Sequence, residues 1–329
     1  MLNHDDQRAL LVWYDEHQRA LPWRQTNDPW AILLSEILLQ QTQVSRGLVY
    51  WQRMVETFPT VASMADASVD AVLKAWEGAG YYSRARRLHA LSRQVMLPTS
   101  EGGFDGRLPS THDALLSLPG IGPYTAAAVA SIAFGQPVAC VDGNIRRVMA
   151  RQTAQSNPSP KVVQAWADAS LETNRPGDWN QALMELGATV CTPKRVACSS
   201  CPIATSCQGR STPERYPLPK QQRTTSMVLT AIVDHDEQGR PLLIQRPASG
   251  LLGGLWGPVF EDGRQGEGKA YADAGTVKHQ LSHRAMTVHV LVGRTPVLGP
   301  GVEPSLVACS TLDEKILAMA SQRFKKHRS

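Results

Sequence analysis

The chain has 329 residues, 42% of them hydrophobic and 19% charged, with a formal net charge of +5. That length holds two domains with a core each, and that apolar share is ordinary for a globular chain, which excludes the disordered and fibrous classes. Met1 to Arg8 lack the apolar segment of a signal peptide, and no apolar run reaches the roughly 18 residues needed to cross a bilayer.

A cytoplasmic protein is therefore expected, nucleoid-associated if it binds DNA, with no membrane contact and with reduced cysteines. The basic balance suits a polyanionic partner without proving one.

Leu10, Leu11, Trp13 and Tyr14 have helical spacing, which predicts a helix over Asp5 to Glu16, broken by Leu21-Pro22-Trp23-Arg24. Asp28-Pro29 is a capped start for the next helix. From Trp30 to Thr42 that helix is apolar on nearly all sides and should be buried. Glu36 stands in its centre. A carboxyl there is either neutral, with the raised pKa of a general acid, or paired with a cation such as Arg24. Both remain open on this helix alone.

After a helix predicted over Val69 to Trp76 comes Gly78-Ala79-Gly80-Tyr81-Tyr82-Ser83-Arg84-Ala85-Arg86-Arg87. Glycines beside paired tyrosines and three arginines suit a loop pushed into a duplex. A helix corner with core tyrosines and a solvated basic face is the plainer alternative.

Ser110 to Arg147 is the stretch around which the chain is organised. Ser110, with Asp113 three residues on, is expected to start a short helix over His112 to Ser117. Leu118-Pro119-Gly120-Ile121-Gly122 reads as a tight hairpin, and a helix from about Tyr124 to Phe134 follows, closed by Gly135. Gly120 and Gly122 leave backbone N–H groups uncovered at a helix N-terminus, which makes either a site for one phosphate or an ordinary helix–turn–helix corner. Asp142 comes eighteen residues past Tyr124, and Gly143-Asn144 opens another helix. Its helix-start N–H groups are expected to hold the Asp142 carboxylate ionised.

Lys161 to Glu172 is an amphipathic helix, and Trp179 to Ala188 leads into Cys191, Cys198, Cys201 and Cys207, separated by six, two and five residues. Four thiolates in one short loop can close around one metal centre, and chemistry alone allows a Cys₄ zinc site. Cys140 and Cys309 read as ordinary buried cysteines. Gln208 to Ser226, with Pro213, Pro217 and Pro219, reads as a linker. The texture then turns to β: strands over Met227 to Val233, Pro241 to Gln245 and Met286 to Val292, with a turn over Asp234 to Gly239. Arg323 to Arg328 reads as a solvated basic end.

The hairpin followed by Asp142 resembles the helix-hairpin-helix DNA glycosylases, over about Leu21 to Cys207. Ser35-Glu36-Ile37-Leu38-Leu39-Gln40-Gln41-Thr42 resembles the signature helix of the MutY-type adenine glycosylases. The cysteine spacing is similar to the [4Fe–4S] loop of endonuclease III and its adenine-glycosylase relatives. The resemblance implies that Glu36 protonates the leaving adenine and that Asp142 stabilises or attacks the sugar cation, supported by Tyr124 and Asn144. It implies DNA or substrate contacts at Arg24, Gln41, Thr42, Gly120, Gly122 and Gln181, intercalation by Tyr81, and phosphate contacts at Lys194 and Arg195. In the endonuclease III branch the position of Tyr124 is a Schiff-base lysine, so strand cleavage should be weak or absent here.

Gly250-Leu251-Leu252-Gly253-Gly254-Leu255-Trp256-Gly257-Pro258 resembles the Nudix-like domain of the MutY-type enzymes. Glu261 and Glu267 are the only glutamates over residues 260–278. Without a metal-holding glutamate helix, recognition rather than hydrolysis is expected. The family's aromatic-Ser-His turn, which reads 8-oxoguanine, appears as Leu281-Ser282-His283, so stacking at that turn is in doubt while hydrogen bonding by Ser282 and His283 is implied.

The expected fold is mainly α: a two-lobed helix-hairpin-helix glycosylase over 1–208 with an iron–sulfur loop at 191–207, a linker over 209–226, and a C-terminal α/β Nudix-like lesion-recognition domain over 227–329. The expected activity is a monofunctional adenine DNA glycosylase, a monomer acting on double-stranded DNA with an adenine:8-oxoguanine mispair. An endonuclease III-like glycosylase/lyase and a non-catalytic lesion binder are the alternatives.

Overall fold

The computed structural model describes all residues except 220–223, 267, 269, 282, 283, 294, 298 and 329, and omits the side chains of 325–328. It divides into two compact units, one of Met1–Asp66 with Arg87–Lys220 and one of Ala67–Arg86 with Gln221–Ser329. Residues 67–86, grouped by sequence with the helical domain, thus pack with the C-terminal unit.

Twelve α-helices are described: α1 (His4–His17), α2 (Pro29–Leu38), α3 (Val44–Thr57), α4 (Val61–Asp66), α5 (Val69–Ala75), α6 (Ser83–Met96), α7 (His112–Leu116), α8 (Pro123–Phe134), α9 (Gly143–Gln152), α10 (Pro160–Ala169), α11 (Pro176–Thr189) and α12 (Thr311–Arg328). Their starts follow local chemistry. Asn3 and Asp6 close a capping box on α1, and Asp28 accepts from the Trp30 N–H ahead of Pro29 on α2. The cap of α7 is Thr111, which accepts from the Ala114 N–H; Ser110 lies one residue outside. Ser and Thr are near-equivalent caps, so the choice falls to the residue adjacent to the first turn.

The helical unit packs around α8. Ala126, Ala127, Ala128, Val129 and Ala130 are all buried, and their small side chains let α2, α7 and α11 lie close on several faces. Leu10 of α1, Ile145 of α9, and Trp179 and Leu183 of α11 complete one core. The helix α2 stops at Leu38, short of the expected Thr42, and Gln41 adopts a left-handed φ of 59°. The apolar run ends at Leu39, so nothing buries a further helical turn, and the polar Gln40-Gln41-Thr42 segment turns away.

The expected linker is largely docked. Arg151 donates to the carbonyls of Pro213 and Tyr216, and the Leu218 N–H donates to Ser156 O, so the chain is held to 218.

In the C-terminal unit a four-stranded sheet has the order β4 (Val259–Asp262), β1 (Thr225–Val233), β6 (Arg284–Gly293), β5 (Tyr271–Leu281). β1 and β6 are parallel, while the β1–β4 and β5–β6 pairs are antiparallel. β2 (Ile244–Gln245) and β3 (Trp256–Gly257) form a separate short pair. The expected strand from Pro241 shrinks to β2, since proline brings no N–H to a ladder. α12 covers β1, β5 and β6, burying Leu312, Ile316 and Ala320 against Ala231, Val233, Val288 and Val290. Beneath it Arg246 makes a buried two-pronged ion pair with Asp313 at 2.7 and 3.0 Å.

Candidate active site

Glu36 is buried on α2, and its Oε2 accepts a hydrogen bond from Tyr124 Oη at 2.7 Å. Tyr124 is the second residue of α8, where Pro123 starts the helix directly after the hairpin. Burial pushes the Glu36 pKa up to about 7; the Tyr124 hydrogen bond pulls the other way, and the nearby Asp142 charge adds to the rise.

Arg24, the alternative partner for Glu36, is engaged elsewhere. It donates to Glu185 Oε2 at 2.8 Å, and Arg19 grips the same carboxylate through two bonds of 2.7 Å. Burial pushes Glu185 up, but Arg19 and Arg24 outweigh it and hold its pKa at about 2. The cleft thus carries two glutamates in opposite states at neutral pH: one poised to hold a proton, one firmly ionised.

Asp142 caps α9, accepting from the Ile145 N–H at 2.7 Å and from Asn144 Nδ2 at 2.7 Å. The expected helix-start bonds to Asp142 are present and favour its charged form, while burial is the larger influence and raises its pKa from the ordinary aspartate value. Asn144 Oδ1 accepts from Arg147 Nη2 at 2.8 Å, and Arg147 also donates to Gly187 O at 2.7 Å and Cys191 O at 2.8 Å. A side chain at Gly187 would collide with Asn144, its Cβ lying 2.5 Å from the Asn144 Cβ, so glycine is what lets α11 approach α9 here.

Glu36, Tyr124, Asp142, Asn144, Arg24, Gln41, Thr42 and Gln181 all line one cleft of about 1160 Å³, with Arg19 and Glu185. Gln40, which sequence reasoning passed over, donates to Thr125 Oγ1 at 3.1 Å and braces the turn after α2. Glu185 was also missed; it follows Gln181 by four residues on α11, the same helix face, and that spacing was the available signal. The hairpin presents Gly120 at φ 81°, where a Cβ would lie 2.7 Å from Arg87 Cβ, and Gly122 begins α8 with no side-chain cap on its first N–H groups.

Cys191, Cys198, Cys201 and Cys207 line one cavity together with Arg151. Burial, then the neighbouring Cys191, Cys207 and Cys198 charges, push the Cys201 thiol up to about 11, while a backbone N–H opposes them. A cationic centre among them would relieve that mutual repulsion. Among the described residues, no three His, Cys, Asp or Glu side chains stand close enough to hold a single metal ion. Lys194 and Arg195 are exposed in the intervening loop, which is closed by backbone pairing of Cys191 with Val196.

In the other unit, Tyr81 is 40% exposed and left-handed at φ 49°. Of the three arginines expected on its basic face, Arg84 lies over the Trp76 and Tyr81 rings and Arg86 donates to backbone carbonyls, so both are half-buried against protein. Arg87 is exposed. Ser282 and His283 lie outside the described residues.

A glycine hairpin leading into α8, with a buried glutamate and a helix-capping aspartate on one cleft, defines a base-excision glycosylase of the helix-hairpin-helix class. Residues 34–171 match the model of the HhH-GPD superfamily base excision DNA repair protein. The chain is 35% identical to an adenine DNA glycosylase of Homo sapiens, over 88% of this chain and 67% of that one. It is 42% identical to one of Mycolicibacterium smegmatis, over 61% and 68% respectively. Among solved structures it is similar to a thermostable thymine-DNA glycosylase, at 28% identity and a TM-score of 0.57, over 62% of this chain and 94% of that one. The fold is shared with endonuclease III in a non-covalent DNA complex, at 21% identity and a TM-score of 0.55, over 65% and 100%. The chain belongs to the adenine DNA glycosylase family.

Proposed function

We propose that this chain removes adenine paired with 8-oxoguanine or guanine by hydrolysing the N-glycosidic bond. The observation that carries the reading is Glu36, buried in the cleft under the Tyr124 hydroxyl with a pKa near 7. The adenine leaves the base stack and enters the cleft. Protonated Glu36 gives its proton to the base, at N7 by family analogy. The bond from the base nitrogen to C1′ then breaks, its electron pair leaving with the neutral adenine. Asp142 stabilises the oxocarbenium ion or attacks it, and Asn144 holds Asp142 in place. Water adds at C1′ and releases a proton, leaving an abasic site.

The described cleft lining contains no lysine, which favours hydrolysis without Schiff-base strand cleavage. Gly120, Gly122, Lys194 and Arg195 are proposed phosphate contacts, and Tyr81 the side chain that fills the gap left by the extruded base. Arg24, Gln41, Thr42 and Gln181 are proposed to contact the flipped nucleotide, and Ser282 and His283 the opposing lesion. The partner is double-stranded DNA and the acting species a monomer, in the cytoplasm at the nucleoid.

The four cysteines are proposed to hold a [4Fe–4S] cluster. Four cysteines on one cavity supply the thiolates such a cluster needs, and their spacing resembles that of the family's cluster loop. Its contribution is to brace the loop carrying Lys194 and Arg195.

The test is single-turnover cleavage of duplexes with adenine opposite 8-oxoguanine, guanine and thymine, with and without alkali. Alkali-dependent cleavage at the first two, lost in Glu36→Gln, is expected. Cleavage of oxidised pyrimidines instead, or tight binding with no cleavage at all, would overturn the reading. So would borohydride trapping above background for its monofunctional part.

A further inference from the structure

The Gly-rich stretch 250–258 has no role in the chemistry above, yet its loop is shaped around one side chain. The loop closes on itself: the Gly254 N–H donates to Arg246 O at 3.1 Å and to Pro247 O at 3.0 Å. Gly253 lies so close to the preceding backbone that a Cβ would sit 2.6 Å from Ala248 O. Gly254 has φ 77°, and a Cβ there would meet Arg86 Nη1 at 3.0 Å. This folding turns two carbonyls outward to Arg86. Its Nη2 donates to Ala248 O at 2.7 Å and its Nη1 to Gly253 O.

A second set of bonds grips the same segment on both sides of its turn. Tyr82 Oη donates to Cys309 O at 3.1 Å and accepts from the Gly78 N–H at 3.1 Å. Glu77 Oε1 accepts from the Cys309 N–H at 2.9 Å, and Lys74 Nζ donates to Val307 O at 2.9 Å. Between Glu77 and Tyr82 lies the turn with three left-handed residues, Gly78 at 87°, Gly80 at 73° and Tyr81 at 49°. A left-handed tyrosine is strained and persists only where its surroundings over-determine it.

We propose that the Gly-rich loop and residues 307–309 are the seat of the Tyr81 turn, with Arg86 and Tyr82 as its positioning residues. The C-terminal unit would then set the geometry of the side chain that enters the duplex, besides reading the lesion. This rests on the reading of Tyr81 as the intercalating side chain.

The experiment uses the full chain in a Glu36→Gln background, so that base loss is slow beside the reading. Its probe is a duplex with adenine opposite 8-oxoguanine and 2-aminopurine beside the mispair. Insertion unstacks the reporter and raises its fluorescence. Tyr81→Ala should abolish the rise. Arg86→Gln and Tyr82→Phe should each shift the partition away from the inserted state, by about tenfold where a charged hydrogen bond is lost, and Arg86→Lys should recover part of it. Loss of fold alone would lower the melting temperature and total binding together, whereas mispositioning leaves both and moves only the fluorescence. Tyr82→Phe removes one oxygen and decides the matter if Arg86→Gln does not fold. An unchanged rise in Tyr81→Ala would overturn the intercalation reading. A rise lost in Tyr81→Ala but kept in both Arg86→Gln and Tyr82→Phe would overturn the seat alone.

Discussion

Tyr124 Oη lies 2.7 Å from Glu36 Oε2, and this single hydrogen bond opposes the burial that lifts Glu36 toward neutrality. The hydroxyl therefore tunes the acid as well as orienting it. A phenol donor favours the charged carboxylate, so without it the carboxyl would keep its proton to higher pH.

Tyr124→Phe should move the alkaline limb of the single-turnover pH–rate profile to higher pH while lowering the maximal rate. The profile checks this directly. A lowered rate with an unmoved limb would mean that the hydroxyl orients without tuning.

Glu36→Gln should lower the excision rate by about 10² to 10⁴-fold, the ordinary worth of a general acid. It should also stabilise the protein at alkaline pH. The folded pKa of about 7 lies above the ordinary glutamate value of 4.5, so the folded state holds a proton that the unfolded chain releases. Wild-type stability therefore falls as pH rises from 4.5 to about 7 and levels off above that. Glutamine has no such penalty, so the variant should gain up to about 3 kcal/mol at pH above 7 and little at pH 4. Urea denaturation at the two pH values measures the difference.

Glu185→Ala should be strongly destabilising, because Arg24 is left buried with its charge unmatched. Breaking a buried pair costs about 3–5 kcal/mol. The wild-type pair has the opposite pH sense to Glu36: its contribution is present above the ordinary glutamate pKa and is lost as pH falls through about 2. Equal stability of the variant and the wild type at pH 7 would show that the pair is neutral in net effect.

Arg147→Gln should slow excision while leaving duplex affinity nearly unchanged. Arg147 holds Asn144, which in turn holds Asp142, and it touches no cleft surface of its own among the described lining residues. A loss of about 1.5–3 kcal/mol, the worth of a charged hydrogen bond, corresponds to a rate lower by roughly tenfold or more. Single-turnover rates beside gel-shift affinities separate the two effects.

Asp313→Ala should unfold the C-terminal unit more readily, by about 3–5 kcal/mol, since Arg246 would remain buried at the base of α12 without its partner. Replacing both by apolar residues should recover most of the loss. Hydrogen exchange of the β1 and β6 amides along a denaturant series reports it.

The sequence by itself determined the elements and the chemistry that local rules govern. Asp28-Pro29 must start a helix, an all-apolar helix must be buried, and Glu36 within it must be paired or protonated. Gly122-Pro123 must open α8, and Asp142 must cap what Gly143 begins. These follow from spacing and backbone constraints within a few residues. Which partner each charge takes was decided only by the tertiary structure, because the choice lies between groups far apart in the chain. Arg24 could have met Glu36 twelve residues away, yet it meets Glu185, and that leaves Glu36 to Tyr124. The pKa of Asp142 is raised by burial, which no local pattern measures. Likewise the arginines after Tyr82 read either as phosphate holders or as a solvated basic face, and packing turned Arg86 onto carbonyls more than 160 residues on. Hydrogen-bond capacity is written in each residue, but desolvation, which makes that capacity consequential, exists only once distant segments have closed over it.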